Sequence, residues 1–449
     1  MRSSSLSPWL TIWLSSVAAV LAASIVLNRA PSYRAEAGLR SNPPGSDFLQ
    51  EWIGGQILLD GDADRLYDWK YARQLQHDPQ RTGFEWAPDQ YYPIVYPPFY
   101  YALLTPLARL DCLTAAREWC LVNGLAYCLA FALLATECSR FTPQARWFPL
   151  IAILYSPVLL SLNMGQKSGF LLLLFATTYT LYANRRPAWA GLIFGGLLFK
   201  PQLAIVLLAA MVLRREWRFL AGFLVSASAA AAMSLWIGIQ PCWDFLQVAL
   251  SAGRYMEHGG YQWEHAHNLW CGIRGFFPGG QLGVAAVAFG LVAALLVGLV
   301  MRSSRPTAAP DSLEQAEWFG MVVLLTILLS PHFFTYDLSL LILPMVFVAS
   351  RLLGGSAETP ESATPSARSA SIMALPGMVL LPTLMFVAST WMPAIALWTG
   401  VQWSCWILAA WLVIWAKSSA EGLRVAARGQ ISETPWQVTN QAQSTVQSC

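Results

Sequence analysis

Lys200 sits inside an apolar run from Ala188 to Leu213 and is followed at once by Pro201. A lysine at bilayer depth costs roughly 2.5–3.5 kcal/mol on insertion scales, so its ammonium calls for a water-filled cavity or an anionic partner. Arg274 and His332 stand in polar stretches beside apolar runs, and with Lys200 they can give charge-assisted hydrogen bonds to a phosphate. Asp47, directly before Phe48-Leu49-Gln50-Glu51-Trp52-Ile53, can supply a base on the opposite side. It is equally a natural helix N-cap, and Glu51 is a competing carboxylate. Gln166, in the turn Asn163-Met164-Gly165-Gln166-Lys167, carries an amide able to grip a hydroxyl. Tyr96, His267, Asn268, Tyr336 and Asp337 add polar groups at the edges of apolar runs.

Other chemistries find no support. The histidines have no zinc-motif spacing, and the Gly61 to Tyr67 segment lacks the remaining ligands of a calcium loop. Neither a metal nor another cofactor is expected. No Walker, Rossmann or serine-hydrolase signature occurs, and the basic residues form no nucleic-acid patch. Five cysteines, Cys112, Cys120, Cys128, Cys138 and Cys405, fall in or near apolar runs and read as packing residues. Cys242 and Cys271 share one loop, where an oxidising compartment would allow a disulfide.

The elements that must position these groups are set by composition. With 56% hydrophobic and only 12% charged residues, the chain departs from soluble proteins and reads as an all-α polytopic membrane protein. Apolar runs at 9–28, 116–137, 147–163, 168–184, 188–199, 202–213, 217–238, 281–301, 317–330, 335–351, 372–390 and 394–415 predict a bundle of about 12 transmembrane helices. The first run is longer than a signal-peptide core and is expected to be a retained helix.

Arg185, Arg186, Arg214, Arg215, Arg218, Arg302, Arg305, Arg351, Arg368, Lys417, Arg424 and Arg428 punctuate the runs and mark the cytoplasmic side. Residues 188–213 must then go out and return, meeting near Lys200 and Pro201, as discontinuous helices lining a cavity do. The same parity places 29–93, Gly165 to Lys167, 239–280 and Ser330 to Asp337 on the outer face. The proline-broken stretch 94–110 is expected to be re-entrant or interfacial. A single domain therefore covers 1–417, with 29–115 as outer loop and re-entrant region carrying short amphipathic helices and 239–280 as a second outer loop. Residues 418–449 form a polar, disordered cytoplasmic tail.

Taken in order, Leu66-Tyr67, Tyr96-Pro97-Pro98, Gly165-Gln166, Ala190-Gly191-Leu192 followed by Lys200-Pro201, His267-Asn268, and Ser330-Pro331-His332 with Tyr336-Asp337 resemble glycosyltransferase family 87. The resemblance runs from about residue 45 to about 350 and rests on the order of the motifs. It implies a GT-C-type bundle and a polyprenol-phosphate-mannose-dependent mannosyltransferase of the cell membrane, its active site on the periplasmic or extracellular face. It also implies an acidic base in the first outer loop, a position that Asp47 matches. The partners would be a polyprenyl-phosphate-sugar donor, a glycan or glycolipid acceptor, and membrane lipid. With that donor, the residue chemistry given above puts Lys200, Arg274 and His332 on the donor phosphate, with Gln166, His267, Asn268, Tyr96, Tyr336, Asp337 and Glu51 around the sugar and acceptor. Lys167 departs from the usual small or polar residue after the Gly-Gln turn. The rival reading is a transporter or flippase for a lipid-linked or anionic substrate.

Overall fold

A computed structural model of the chain describes residues 45–83, 85, 91–147, 152–258, 262–277, 281–304, 308–354 and 365–432. The apolar run 9–28 and residues 433–449 of the expected tail lie outside them, whereas 418–432, expected to be disordered, continue the Trp403–Ser432 helix. The described residues contain helices and no strand, with one isolated bridge between Ala266 and Phe334.

Four helices are long and apolar enough to cross a membrane: Cys112–Ser139, Trp217–Ile237, Leu282–Arg302 and Thr335–Leu353. A fifth crossing is added if Pro376–Ala388 and Met392–Thr399, bent by 92° at a break, count as one span. Other runs that the composition predicts as spans are shorter apolar helices, Ser168–Ala183, Pro187–Phe199 and Pro201–Leu213 among them. Ser168–Ala183 has 16 residues, about 24 Å at 1.5 Å per residue, against about 30 Å of hydrocarbon. Trp217–Ile237 and Leu282–Arg302 leave Leu224, Val225, Leu291 and Leu295 exposed, the apolar surface a membrane helix presents to lipid.

Within 94–110 the helix is Pro98–Ala108, 11 residues long, or about 16 Å. It lies against Leu49–Leu59, and two glycines make the contact close: a Cβ on Gly54 would meet Tyr101 Cδ1 at 2.2 Å, and one on Gly55 would meet Ala108 Cβ at 2.6 Å. Trp52 Nε1 donates to Leu110 O at 3.0 Å. The expected second loop, 239–280, is instead largely helical, with Ile239–His258 and Leu269–Arg274. Cys242 and Cys271 are both free thiols. Cys242 faces the Tyr67 region while Cys271 is buried beside Cys405, so the disulfide does not form.

Helices run back and forth between two polar ends. Ser168–Ala183 leaves Lys167 and finishes before Arg185, Pro187–Phe194 returns toward Lys200, and Ile205–Leu213 ends at Arg214. Gly191 of Pro187–Phe194 and Gly222 of Trp217–Ile237 press those two helices together, since a Cβ on either would fall 1.9 Å from a carbonyl oxygen of the other helix. At one end Arg140 donates to Asn184 at 3.2 Å, Arg185 faces Asp311 at 3.9 Å, Arg214 donates to Gln315 at 2.8 Å and Arg351 donates to Glu317 at 2.9 Å. At the other end lie the residues described next.

Candidate active site

The site is assembled around a turn. The Ser156–Met164 helix ends at Gly165, whose φ of 71° is in the left-handed region, and a Cβ there would come within 2.8 Å of Gly45 Cα. Glycine is required on both counts. Gly45 N donates to Asn163 O at 2.7 Å, and Trp119 Nε1 donates to Gly165 O at 2.8 Å. Asn123 donates to Gln166 O and accepts from Gly169 N at 3.0 Å. The turn is thereby pinned from three sides, and residues 45–47 are carried to Gln166.

Two lysines and three carboxylates follow. Lys167 Nζ is paired with Glu51 and donates to Tyr96 Oη at 2.7 Å. Its ammonium also lies 3.9 Å from the Tyr96 ring centroid, a cation–π contact. Lys200 lies between the short turns Gly195–Phe199 and Pro201–Leu203. Its Nζ reaches both carboxylate oxygens of Asp337 at 3.0 Å, and Ser168 Oγ donates to Asp337 Oδ1 at 3.0 Å. Asp47 differs, because Gln166 Nε2, a neutral amide, donates to its Oδ2 at 2.6 Å. It keeps 9% exposure, whereas Glu51 and Asp337 have 1%.

Burial pushes the Asp47 carboxyl up to about 6, with the Gln166 hydrogen bond opposing and the Glu51 charge adding to the rise. Burial likewise raises Glu51, against the Lys167 ammonium. The capping role open to Asp47 goes unused: the cap residue of Leu49–Leu59 is Phe48, and no side chain caps that helix. Other acidic residues of the loop have local duties, Asp68 and Asp78 as helix caps and Asp60 in a 2.7 Å pair with Arg81. Glu51 Oε2 and Gln166 Oε1 are buried acceptors without a partner.

Tyr96 is fixed by its backbone, whose N–H donates to Tyr101 Oη at 3.1 Å and whose carbonyl accepts from Tyr67 Oη at 2.6 Å. Tyr336 lies with its ring centroid 5.7 Å from Lys200 Nζ. His332 packs on Phe334 at 4.3 Å between centroids, and burial followed by the Lys200 ammonium pushes its imidazole down to about 4. It is neutral at pH 7 and offers a hydrogen bond there, not a charge.

His267 and Asn268 have protein partners. The ring nitrogens of His267 meet Ser404 Oγ at 2.7 Å and Thr335 Oγ1 at 2.9 Å, and burial pushes this imidazole down to about 3. Asn268 caps Leu269–Arg274 through Cys271 N at 2.9 Å and donates to Pro331 O at 3.1 Å. Arg274 closes that helix, whose Gly272 lies against Cys405, and among the described residues no hydrogen bond joins it to the carboxylates.

Ser168 and Asn123 enter the site without having been singled out in the sequence, and Lys167, noted there only as a departure from the family's turn, enters as the partner of Glu51. For Lys167 a signal existed: it stands between two apolar runs, where the desolvation cost invoked for Lys200 applies equally. Among the described residues no group of three or more metal-ligating side chains gathers. The model of the family described as Glycosyltransferase family 87 matches residues 94–331, a little over half of the chain. That match takes in Tyr96, Gln166, Lys200 and Arg274 and leaves Asp47, Glu51 and Asp337 outside it. No curated protein and no solved structure matches the chain.

Proposed function

The chain belongs to glycosyltransferase family 87, and on that premise we propose that it moves a hexose, mannose by family resemblance, from a polyprenyl-phosphate donor to an acceptor hydroxyl on the outer face of the cell membrane. Asp47 is the general base. The observation that carries this reading is the pairing pattern: Glu51 and Asp337 are each answered by a lysine, while Asp47 is held by an uncharged amide. A carboxylate that titrates at about 6 is ionised at neutral pH and basic enough to take a proton.

The acceptor oxygen attacks the anomeric carbon as its proton passes to Asp47. The bond from that carbon to the phosphate oxygen breaks, the electron pair leaves with polyprenyl phosphate, and the anomeric centre inverts. Each ammonium has three N–H donors. Lys200, with Asp337, and Lys167, with Glu51 and Tyr96, each retain capacity toward the departing phosphate, whose growing charge they stabilise. Glu51 Oε2 and Gln166 Oε1 take up sugar or acceptor hydroxyls.

The test is transfer of radiolabelled mannose from polyprenyl-phosphate-mannose by membranes carrying the chain, with polyprenyl-phosphate-glucose in parallel to separate the hexoses. Asp47→Asn and Lys200→Ala should each lose transfer. Wild-type rates in both variants would remove the site assignment.

A further inference from the structure

We propose that Arg214, Gln315 and Trp318 form a binding site for a phosphate-bearing anion at the end of the bundle opposite Asp47. Arg214 follows the Ile205–Leu213 helix, and its Nη1 donates to Gln315 Oε1 at 2.8 Å. Its guanidinium lies over the Trp318 ring, with Cζ 3.4 Å from the centroid. Three N–H donors in this one cluster, Arg214 Nη2, Gln315 Nε2 and Trp318 Nε1, are buried without an acceptor. Gln315 is 1% exposed and Trp318 is fully buried, so water at the surface does not satisfy them. Buried polar groups are nearly always paired, and three unmet donors on residues in mutual contact call for a group that only accepts.

The surroundings favour an anion. Gln315 and Trp318 lie in the first two turns of the 17-residue Leu313–Leu329 helix, the end where backbone N–H groups and the helix dipole attract negative charge. The charges of Glu216 and Glu314 act on Arg214, which also hydrogen-bonds the Tyr182 hydroxyl, and both carboxylates have other partners. Glu216 accepts from Tyr182 Oη at 2.6 Å, and Glu314 accepts from Ser304 Oγ at 3.3 Å.

The rim carries more positive charge than the backbone would choose. Arg185 and Arg215 each follow a helix with φ at 59°, a left-handed conformation that glycine adopts more cheaply. Arg215, Arg218, Trp189 and Trp217 are exposed beside them. Guanidinium groups next to exposed tryptophans suit the headgroup layer of a bilayer, so the phosphate can arrive on a lipid or free in solution.

The site does not depend on which sugar is moved or on Asp47. Its test uses the purified full chain in neutral detergent, binding labelled inorganic phosphate in one arm and retaining phosphatidylglycerol over phosphatidylcholine from mixed micelles in the other. Gln315→Glu and Arg214→Gln should each weaken binding about tenfold or more, and Trp318→Phe, which keeps the ring and deletes one donor, about threefold. Thermal unfolding midpoints show which variants remain folded, and Trp318→Phe, the mildest change, keeps the test valid if the charge variants do not fold. Binding in the phosphate arm alone identifies a soluble anion, and binding in the lipid arm alone a headgroup. Absence of binding in both arms, or equal binding by wild type and folded variants, overturns the proposal.

Discussion

At the Asp47 end the buried side-chain atoms without partners include the acceptors Glu51 Oε2 and Gln166 Oε1, whereas at the Arg214 end they include the donors Arg214 Nη2, Gln315 Nε2 and Trp318 Nε1. The two ends also handle charge differently. Near Asp47 both lysines are buried against carboxylates, and near Arg214 several arginines stand in the open. Unmet acceptors suit a polyol, and unmet donors suit an anion. The polarity of the unmet groups thus distinguishes the kinds of ligand that two equally polar regions can take.

The largest effect expected is catalytic. Asp47→Asn keeps the shape and removes the base, and transfer should fall about 10²–10⁴-fold in a single-turnover assay. A fall of similar size for Glu51→Gln, with Asp47→Asn active, would exchange their roles. Next is stability. Lys167→Met leaves Glu51 charged and buried, and should destabilise the fold by about 3–5 kcal/mol in denaturant unfolding, with Glu51→Gln restoring much of it in the double variant.

The pH dependence should be set by the Asp47 end. Asp47 titrates above its ordinary value, so its base form is lost as pH falls, and transfer should rise with pH through about 6 and then level off. The Gln166 hydrogen bond holds this carboxyl down, so Gln166→Leu should move the rising limb to higher pH. The smallest effect belongs to the other end: Arg185 and Asp311 are well exposed at 3.9 Å, and Asp311→Ala should cost less than about 1 kcal/mol and vanish in high salt.

Some of this was legible from the residues. The interruption at Lys200 and Pro201 could be read because proline and a charge break an apolar run, and the structure places short turns on either side of it. The arginine pairs at 185–186 and 214–215 mark helix ends for the same reason. The pairing of Lys167 with Glu51 joins residues 116 apart in sequence, and no local pattern carries it. Hydropathy alone does not separate spans from shorter apolar helices: among the described residues four helices, or five with the bent pair, are long and apolar enough to cross, and runs such as 168–184 form shorter ones. Residues 239–258 read as loop because polar residues interrupt them, but Ile239–His258 is helical.

Ser404 stands at the start of Trp403–Ser432, and its hydroxyl holds one ring nitrogen of His267 while Thr335, two residues before Asp337, holds the other. The peptide that carries Asp337 is thus held, through His267, by a helix that follows Asp47, Lys167, Lys200 and Asp337 in the chain. A chain made only as far as Lys200 already possesses Asp47 and Lys167 but lacks the Ser404 hydroxyl that holds His267 against Thr335. The Asp337 side of the site is therefore braced, through His267, by a residue that lies 67 positions further along the chain.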